Sequence, residues 1–148
     1  MIEKDKKIVI GSDHAGFPIK EVLKSYLTAK GFEVKDYGTY STESVDYPDF
    51  AHKVAADISC GIYDKGLLVC GSGNGICMTA NKHKDIRAAL CWNAEIAELA
   101  RLHNNANILC IPGRYVSEKE AEKIMEVFLT TKFEGGRHQN RINKINCN

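Results

Sequence analysis

The chain has 148 residues, 44% of them hydrophobic and 26% charged, with a formal net charge of +1. That length suits one domain, residues 1–148, with a sizeable core. A charge near zero draws the chain to neither nucleic acid nor a membrane surface. No apolar run approaches the roughly 20 residues that a spanning helix needs, and the charged start, Met1-Ile-Glu-Lys-Asp-Lys-Lys7, lacks the apolar segment of a signal peptide.

Six cysteines stand at positions 60, 70, 77, 91, 110 and 147. None forms Cys-x-x-Cys, and none joins a histidine at zinc-finger spacing. Cys70, Cys91 and Cys110 lie in or at the ends of apolar runs, as reduced, buried thiols do. A cytoplasmic location is the expectation that follows.

In chain order, Lys7-Ile-Val-Ile-Gly11 is a β-branched run that predicts a buried strand. A loop, Ser12 to Pro18, leads into a helix in which Ile19, Val22, Leu23, Tyr26 and Leu27 recur at helical spacing, with Gly31 as its C-cap. Phe32 to Tyr37 alternates and predicts a second strand. Gly38 to Pro48 reads as a polar loop, and Phe50 to Ile58 as a helix. The third strand is Gly66 to Cys70, followed by a helix over Gly75 to Asn81. Ile86 to Trp92 predicts a fourth strand, Ala94 to His103 a helix, and Ala106 to Ile111 a fifth strand. Ser117-Glu-Lys-Glu120 is a capping box that opens a helix through Leu129. The tail, Gly135 to Ile145, reads as a turn and a short final helix.

Strand and helix alternate five times, which predicts a Rossmann-like α/β sandwich: a five-stranded parallel sheet with helices on both faces. Ligands of such sheets bind beyond the carboxyl ends of the strands. That edge collects Asp13-His14, Cys70 to Gly75, and the turns at Trp92 and Gly113-Arg114.

The turn Gly71-Ser-Gly-Asn-Gly75 is not the dinucleotide fingerprint, because its third glycine comes one residue early and follows the third strand. Its backbone N–H groups, opening a helix, suit an anion or a developing oxyanion. Cys70 stands at its mouth. A cysteine at a strand end serves equally as a small buried hydrophobe. Beside a helix N-terminus its thiol pKa is expected to fall, and the thiolate can then move a proton on carbon. Asp13 reads as a helix cap or, with His14, as a polar pair facing the ligand. His103, ahead of Asn104, reads as a complement to a helix dipole or as an acid. Arg137 and Arg141, four apart around His138, share a helix face. Their repulsion costs a few tenths of a kcal/mol, and an anion such as phosphate relieves it. Arg114 is placed to join them.

Taken together, the segments Gly11-Ser-Asp-His-Ala-Gly16, Asp46-Tyr-Pro48, Cys70-Gly-Ser-Gly-Asn-Gly75, Ala80-Asn-Lys82, Ile86-Arg-Ala88, His103-Asn-Asn105 and Glu134-Gly-Gly-Arg-His-Gln139 closely resemble ribose-5-phosphate isomerase B, within the group that includes galactose-6-phosphate isomerase subunits. The resemblance implies interconversion of D-ribose 5-phosphate and D-ribulose 5-phosphate, a step of the pentose phosphate pathway, without metal or organic cofactor. It implies Cys70 as the base, Gly71, Ser72, Gly73, Asn74 and Gly75 around the enediolate, and His103 as the ring-opening acid with Asp13 as helper. It implies His14, Asn104, Arg114, Arg137 and Arg141 as ligands of hydroxyls and phosphate. It also implies homodimers or homotetramers whose sites draw on two subunits, with the basic tail, residues 135–148, at an interface. Residues 71–80 hold no Asp or Glu, so the Cys70 thiol is the base candidate of the loop. Isomerisation of a six-carbon sugar phosphate, such as allose or galactose 6-phosphate, stays open. So do a non-catalytic sugar-phosphate-binding module and a thiol redox protein.

Overall fold

The computed structural model describes residues 6–147. The residues before Lys6, including most of the charged start weighed above as a leader, lie outside the described part. Five strands, β1 (Lys7–Ser12), β2 (Glu33–Asp36), β3 (Gly66–Cys70), β4 (Ala88–Leu90) and β5 (Ile108–Pro112), form one all-parallel sheet in the order β2-β1-β3-β5-β4. The order turns back between β1 and β3, so the chain leaves the middle of the sheet in opposite directions. This leaves a crevice at their carboxyl ends.

The helices are α1 (Phe17–Ala29), α2 (Tyr47–Ser59), α3 (Asn74–Ala80), α4 (Ala94–Asn104), α5 (Glu118–Thr130) and α6 (Arg137–Ile142). Helices α1, α4 and α5 close one face through Leu23, Leu27, Ala97, Ala100, Met125 and Phe128. Helices α2 and α3 close the other through Val54, Ile58, Ile76 and Ala80. Strands β1, β3 and β5 are buried along almost their whole length, which explains their continuous apolar runs. Cys70, Cys91 and Cys110 are buried as the sequence predicts. The capping box of α5 forms, with Ser117 N donating to Glu120 Oε1 at 2.8 Å and Glu120 N to Ser117 Oγ at 3.1 Å.

Strands β2 and β5 shift by one or two residues at their ends, and two elements differ more from their predicted extents. Helix α2 begins three residues earlier than Phe50, because Pro48 fits its first turn. Strand β4 shrinks from the predicted Ile86–Trp92 to three residues at the sheet edge. Side chains take over its flanking N–H groups: Asn107 Oδ1 accepts from Arg87 N and Asn81 Oδ1 from Ala88 N, both at 2.8 Å.

One buried cation braces the side of the crevice. Lys20, fully buried in α1, donates to both carboxylate oxygens of Asp36 at 2.6 and 2.8 Å. Burial pushes the Asp36 carboxyl up. Hydrogen bonds from Lys20, Gly38 N and Lys24 outweigh it and hold the group below the usual carboxylate range. The pinned turn then pairs with the end of β1: Ser12 N donates to Gly38 O at 2.7 Å and Thr39 N to Ser12 O at 2.8 Å.

Candidate active site

A cleft of about 390 Å³ opens at the carboxyl ends of β1, β3 and β5. Asp13, His14, Tyr47, Cys70, Gly71, Ser72, Gly75, Arg114 and Tyr115 line it. A larger cleft, about 510 Å³, lies toward the amino ends among Tyr63, Asp85, Arg87 and Arg101, but its lining holds no thiol, imidazole or glycine turn. Chemistry, more than size, therefore selects the smaller one.

Each wall of that cleft is fixed by the backbone. Asp13 N donates to Val69 O at 3.2 Å, tying the turn after β1 to β3. Asp13 Oδ1 accepts from Gly16 N at 3.0 Å, so this carboxylate braces the loop into α1 while lining the cleft. Gly16 is needed there, because a Cβ would lie 2.2 Å from Val69 O. His14 Nδ1 accepts from Val45 N at 3.1 Å, which leaves the proton of the neutral ring on Nε2. The turn after β5 closes the third side: Gly113 N donates to Cys70 O at 2.9 Å and Arg114 N to Gly71 O at 3.1 Å. The Arg114 side chain lies over Gly71, where a Cβ would meet its Nη1 at 3.2 Å.

The glycine turn needs its glycines for distinct reasons. Gly73 adopts φ +78°, and a Cβ there would sit 2.4 Å from Leu90 Cδ1. Gly75 lies under the Tyr47 ring, whose Cζ a Cβ would meet at 2.4 Å. Ser72 Oγ accepts from Asn74 N at 3.3 Å and from Asn74 Nδ2 at 3.2 Å. With its lone pairs engaged, the exposed hydroxyl keeps its proton for a ligand oxygen.

Cys70 is only 5% exposed. Burial pushes its thiol above the ordinary value. The backbone N–H groups of Ile76, Gly73 and Ser72 pull the other way, and the nearby Asp13 charge pushes it up again. This corrects the prediction that the helix N-terminus lowers the thiol's pKa: here burial wins. The resting group is a thiol, and its thiolate is correspondingly a stronger base.

The sequence's other site residues do not line this cleft. Helix α4 starts at the carboxyl edge of the sheet and ends at the amino edge, where β5 begins. Arg87, just before β4, donates from Nε to Asn104 O at 3.1 Å, marking that edge. His103 in the last turn of α4 stacks on His138 of α6, with ring centroids 4.5 Å apart and planes at 16°. Arg137 and Arg141 stand exposed on the same short helix, and neither side chain has an ion pair or hydrogen bond among the described residues. One chain thus carries two groups of candidate residues, at opposite edges of its sheet.

Two aromatic lining residues, Tyr47 and Tyr115, carry no role in the sequence reading. Tyr47 does fall within the Asp46-Tyr-Pro48 segment, which was the signal available. Trp92, predicted at the ligand edge, is 52% exposed and does not line the cleft.

Fold and cleft together define a parallel α/β protein whose glycine turn adjoins a thiol at the switch point of the sheet. The chain belongs to the ribose/galactose isomerase family, whose profile matches residues 8–145. It is 47% identical over 140 residues to a probable ribose-5-phosphate isomerase B of Mycoplasma genitalium, covering 93% of this chain and 92% of that protein. It is 43% identical to the ribose-5-phosphate isomerase B of Escherichia coli, covering 95% and 94% of the two chains. Among solved structures, a ribose 5-phosphate isomerase of Thermotoga maritima superimposes with a TM-score of 0.92 at 55% identity, covering 94% of this chain and 96% of that one. The Mycoplasma genitalium enzyme with bound ribulose-5-phosphate superimposes with a TM-score of 0.90 at 47% identity, covering 94% and 93%. No helix among the described residues is long and apolar enough to cross a membrane.

Proposed function

We propose that this chain is a ribose-5-phosphate isomerase that moves a proton between C1 and C2 of the sugar through an enediolate, with Cys70 as the base. The observation that carries the reading is the thiol itself. It sits at the carboxyl end of β3, with the N–H groups of Ser72, Gly73 and Ile76 directed at it and Asp13, His14 and Arg114 around the same cleft.

His103 protonates the ring oxygen while Asp13 accepts the proton of the anomeric hydroxyl, giving the open aldehyde. Once the Cys70 thiol has released its own proton to solvent, its thiolate takes the proton from C2, and the electron pair moves onto the aldehyde oxygen at C1. N–H groups of residues 71–75 and the Ser72 hydroxyl hold the enediolate, at a site where donors fixed in advance cost no reorganisation. The thiol then returns the proton to C1 while the hydroxyl proton at C2 passes to the oxygen on C1, leaving the ketone at C2 and a primary alcohol at C1. One base serves both transfers because the two carbons are adjacent. The Asn74 amide orients Ser72; His14 and Asn104 bind hydroxyls. Arg114, Arg137 and Arg141 bind the phosphate, leaving the glycine turn to the transition state.

His103, Asn104, Arg137 and Arg141 lie away from Cys70 in one chain, so a second copy brings them to the cleft in a homodimer or a pair of dimers. The tail, residues 135–148, then packs at the interface, and each site draws on two chains. A metabolic role in the cytoplasm fits a chain with three buried thiols.

The test is the purified chain with a panel of five- and six-carbon aldose phosphates, following ketose formation. Preferred turnover of ribose 5-phosphate is the expected result. Preference for a six-carbon sugar moves the chain to the other branch of its family. Binding without deuterium exchange from solvent overturns catalysis altogether.

A further inference from the structure

Beside His103 stands a group that the isomerisation does not use. His138 is buried to 6% exposure, and its Nε2 has no hydrogen-bond partner among the described residues. The Glu134 carboxylate faces it, with Oε1 3.6 Å from that nitrogen, too far for a hydrogen bond. One donor atom each from His103, Glu134 and His138 lie within 4.8 Å of one another. We infer that these three residues form a binding site for a divalent first-row transition ion such as Co²⁺ or Zn²⁺, and that its occupation withdraws His103 from catalysis.

Two imidazoles and one carboxylate are the donor set such ions prefer over Mg²⁺ or Ca²⁺. Three ligands leave a position open for water or a sugar oxygen. The frame around them is built. Glu134 N donates to Leu102 O at 3.1 Å, and Arg101 Nε donates to Thr131 O at 3.1 Å. These bonds tie the segment before α6 to the end of α4 and set Glu134 next to His103. His138 N, bonded to Gly135 O at 3.2 Å, fixes the start of α6.

The required movement is small. Donor atoms of a tetrahedral site lie roughly 3.3 Å apart, given metal–nitrogen bonds of about 2.0–2.1 Å. The Glu134 side chain is 54% exposed and free to close. The rings are stacked nearly parallel, so one must turn to bring its lone pair toward the ion. Partly exposed His103 has the room, whereas buried His138 is held. That turn is what takes His103 from the ring oxygen. Metal capture stands on these residues alone; the inhibition rests on the role proposed above for His103.

The probe is Co²⁺ titrated into the full-length protein, with bound metal measured by equilibrium dialysis and visible absorption. One ion per chain is expected, with ligand-field bands and no thiolate-to-cobalt charge-transfer band. E134Q, a surface change, should weaken binding by at least about tenfold, since even outer-shell losses reach that size; H138Q should do the same. C70A should leave binding unchanged. So should H52N, which removes half of the second histidine pair, His52 Nδ1 and His83 Nε2 at 2.8 Å. Cobalt should slow the wild-type isomerase and spare E134Q. Undiminished binding in E134Q, or a charge-transfer band lost in C70A, overturns the site. Cobalt held by these residues without slowing isomerisation overturns the role of His103 and leaves the site standing.

Discussion

The candidate residues at the carboxyl edge of the sheet are buried and braced, whereas those at the amino edge include two exposed arginines whose side chains have no ion pair or hydrogen bond among the described residues. Asp13 and Cys70 are 7% and 5% exposed and are held by the backbone of three strand ends. Arg137 and Arg141 stand in solvent on a six-residue helix. The first arrangement suits a transition state, where donors must already be in place. The second suits capture of a dianion, which long guanidinium arms can follow. The candidate base and the candidate acid of one chain lie at opposite edges of its sheet, which is the ground for the proposed site shared between two chains.

The largest effect should come from the buried edge. Cys70→Ala should lower kcat by about 10³-fold or more, near the upper range for a general base, with an unchanged circular dichroism spectrum. Activity within tenfold of wild type would remove Cys70 from the chemistry. At the exposed edge, Arg137→Ala should raise KM for phosphorylated sugars by about tenfold or more, with a smaller change in kcat, as loss of a charge-assisted bond to phosphate does. An unchanged KM would detach that helix from phosphate binding.

A smaller effect separates the two regions by pH. Burial, with a minor contribution from the Cys77 thiol, pushes the Cys91 thiol up to about 12, while the unfolded chain titrates near the ordinary thiol value of about 8.5. Between those values the unfolded state has lost the proton and the folded state keeps it. The unfolded state binds fewer protons, so stability falls as pH rises, by about 1.4 kcal/mol per pH unit for this group. From pH 8.5 to 10 the denaturation midpoint should drop more for wild type than for Cys91→Ala, the difference corresponding to about 2 kcal/mol. Equal slopes in the two proteins would show that Cys91 ionises in the folded state.

Much of this was legible from the residues. Alternating apolar runs with capping signals predict every strand and helix, because each buried strand must be continuous and each helix amphipathic. The boundaries of β4 and α2 were not, since side-chain amides of Asn81 and Asn107 replace ladder bonds at an edge that local sequence does not reveal. The thiol's raised pKa was missed for a related reason: a helix N-terminus can be read from glycines, but the degree of burial around Cys70 cannot. Tyr47 and Tyr115 carry no periodicity, so nothing marks them as lining residues. The separation of His103 from Cys70 was within reach. A helix that leaves the carboxyl edge of a parallel sheet must end at the amino edge, and His103 stands in the last turn of such a helix.

That separation gives the most direct test. Cys70→Ala and His103→Ala, each inactive alone, should regain activity when mixed under conditions that let subunits exchange. Random pairing puts one intact site in about half of the dimers, so about a quarter of wild-type activity should return. No recovery, with exchange verified independently, would mean that both residues serve one site within a single chain, and would contradict the shared-site account.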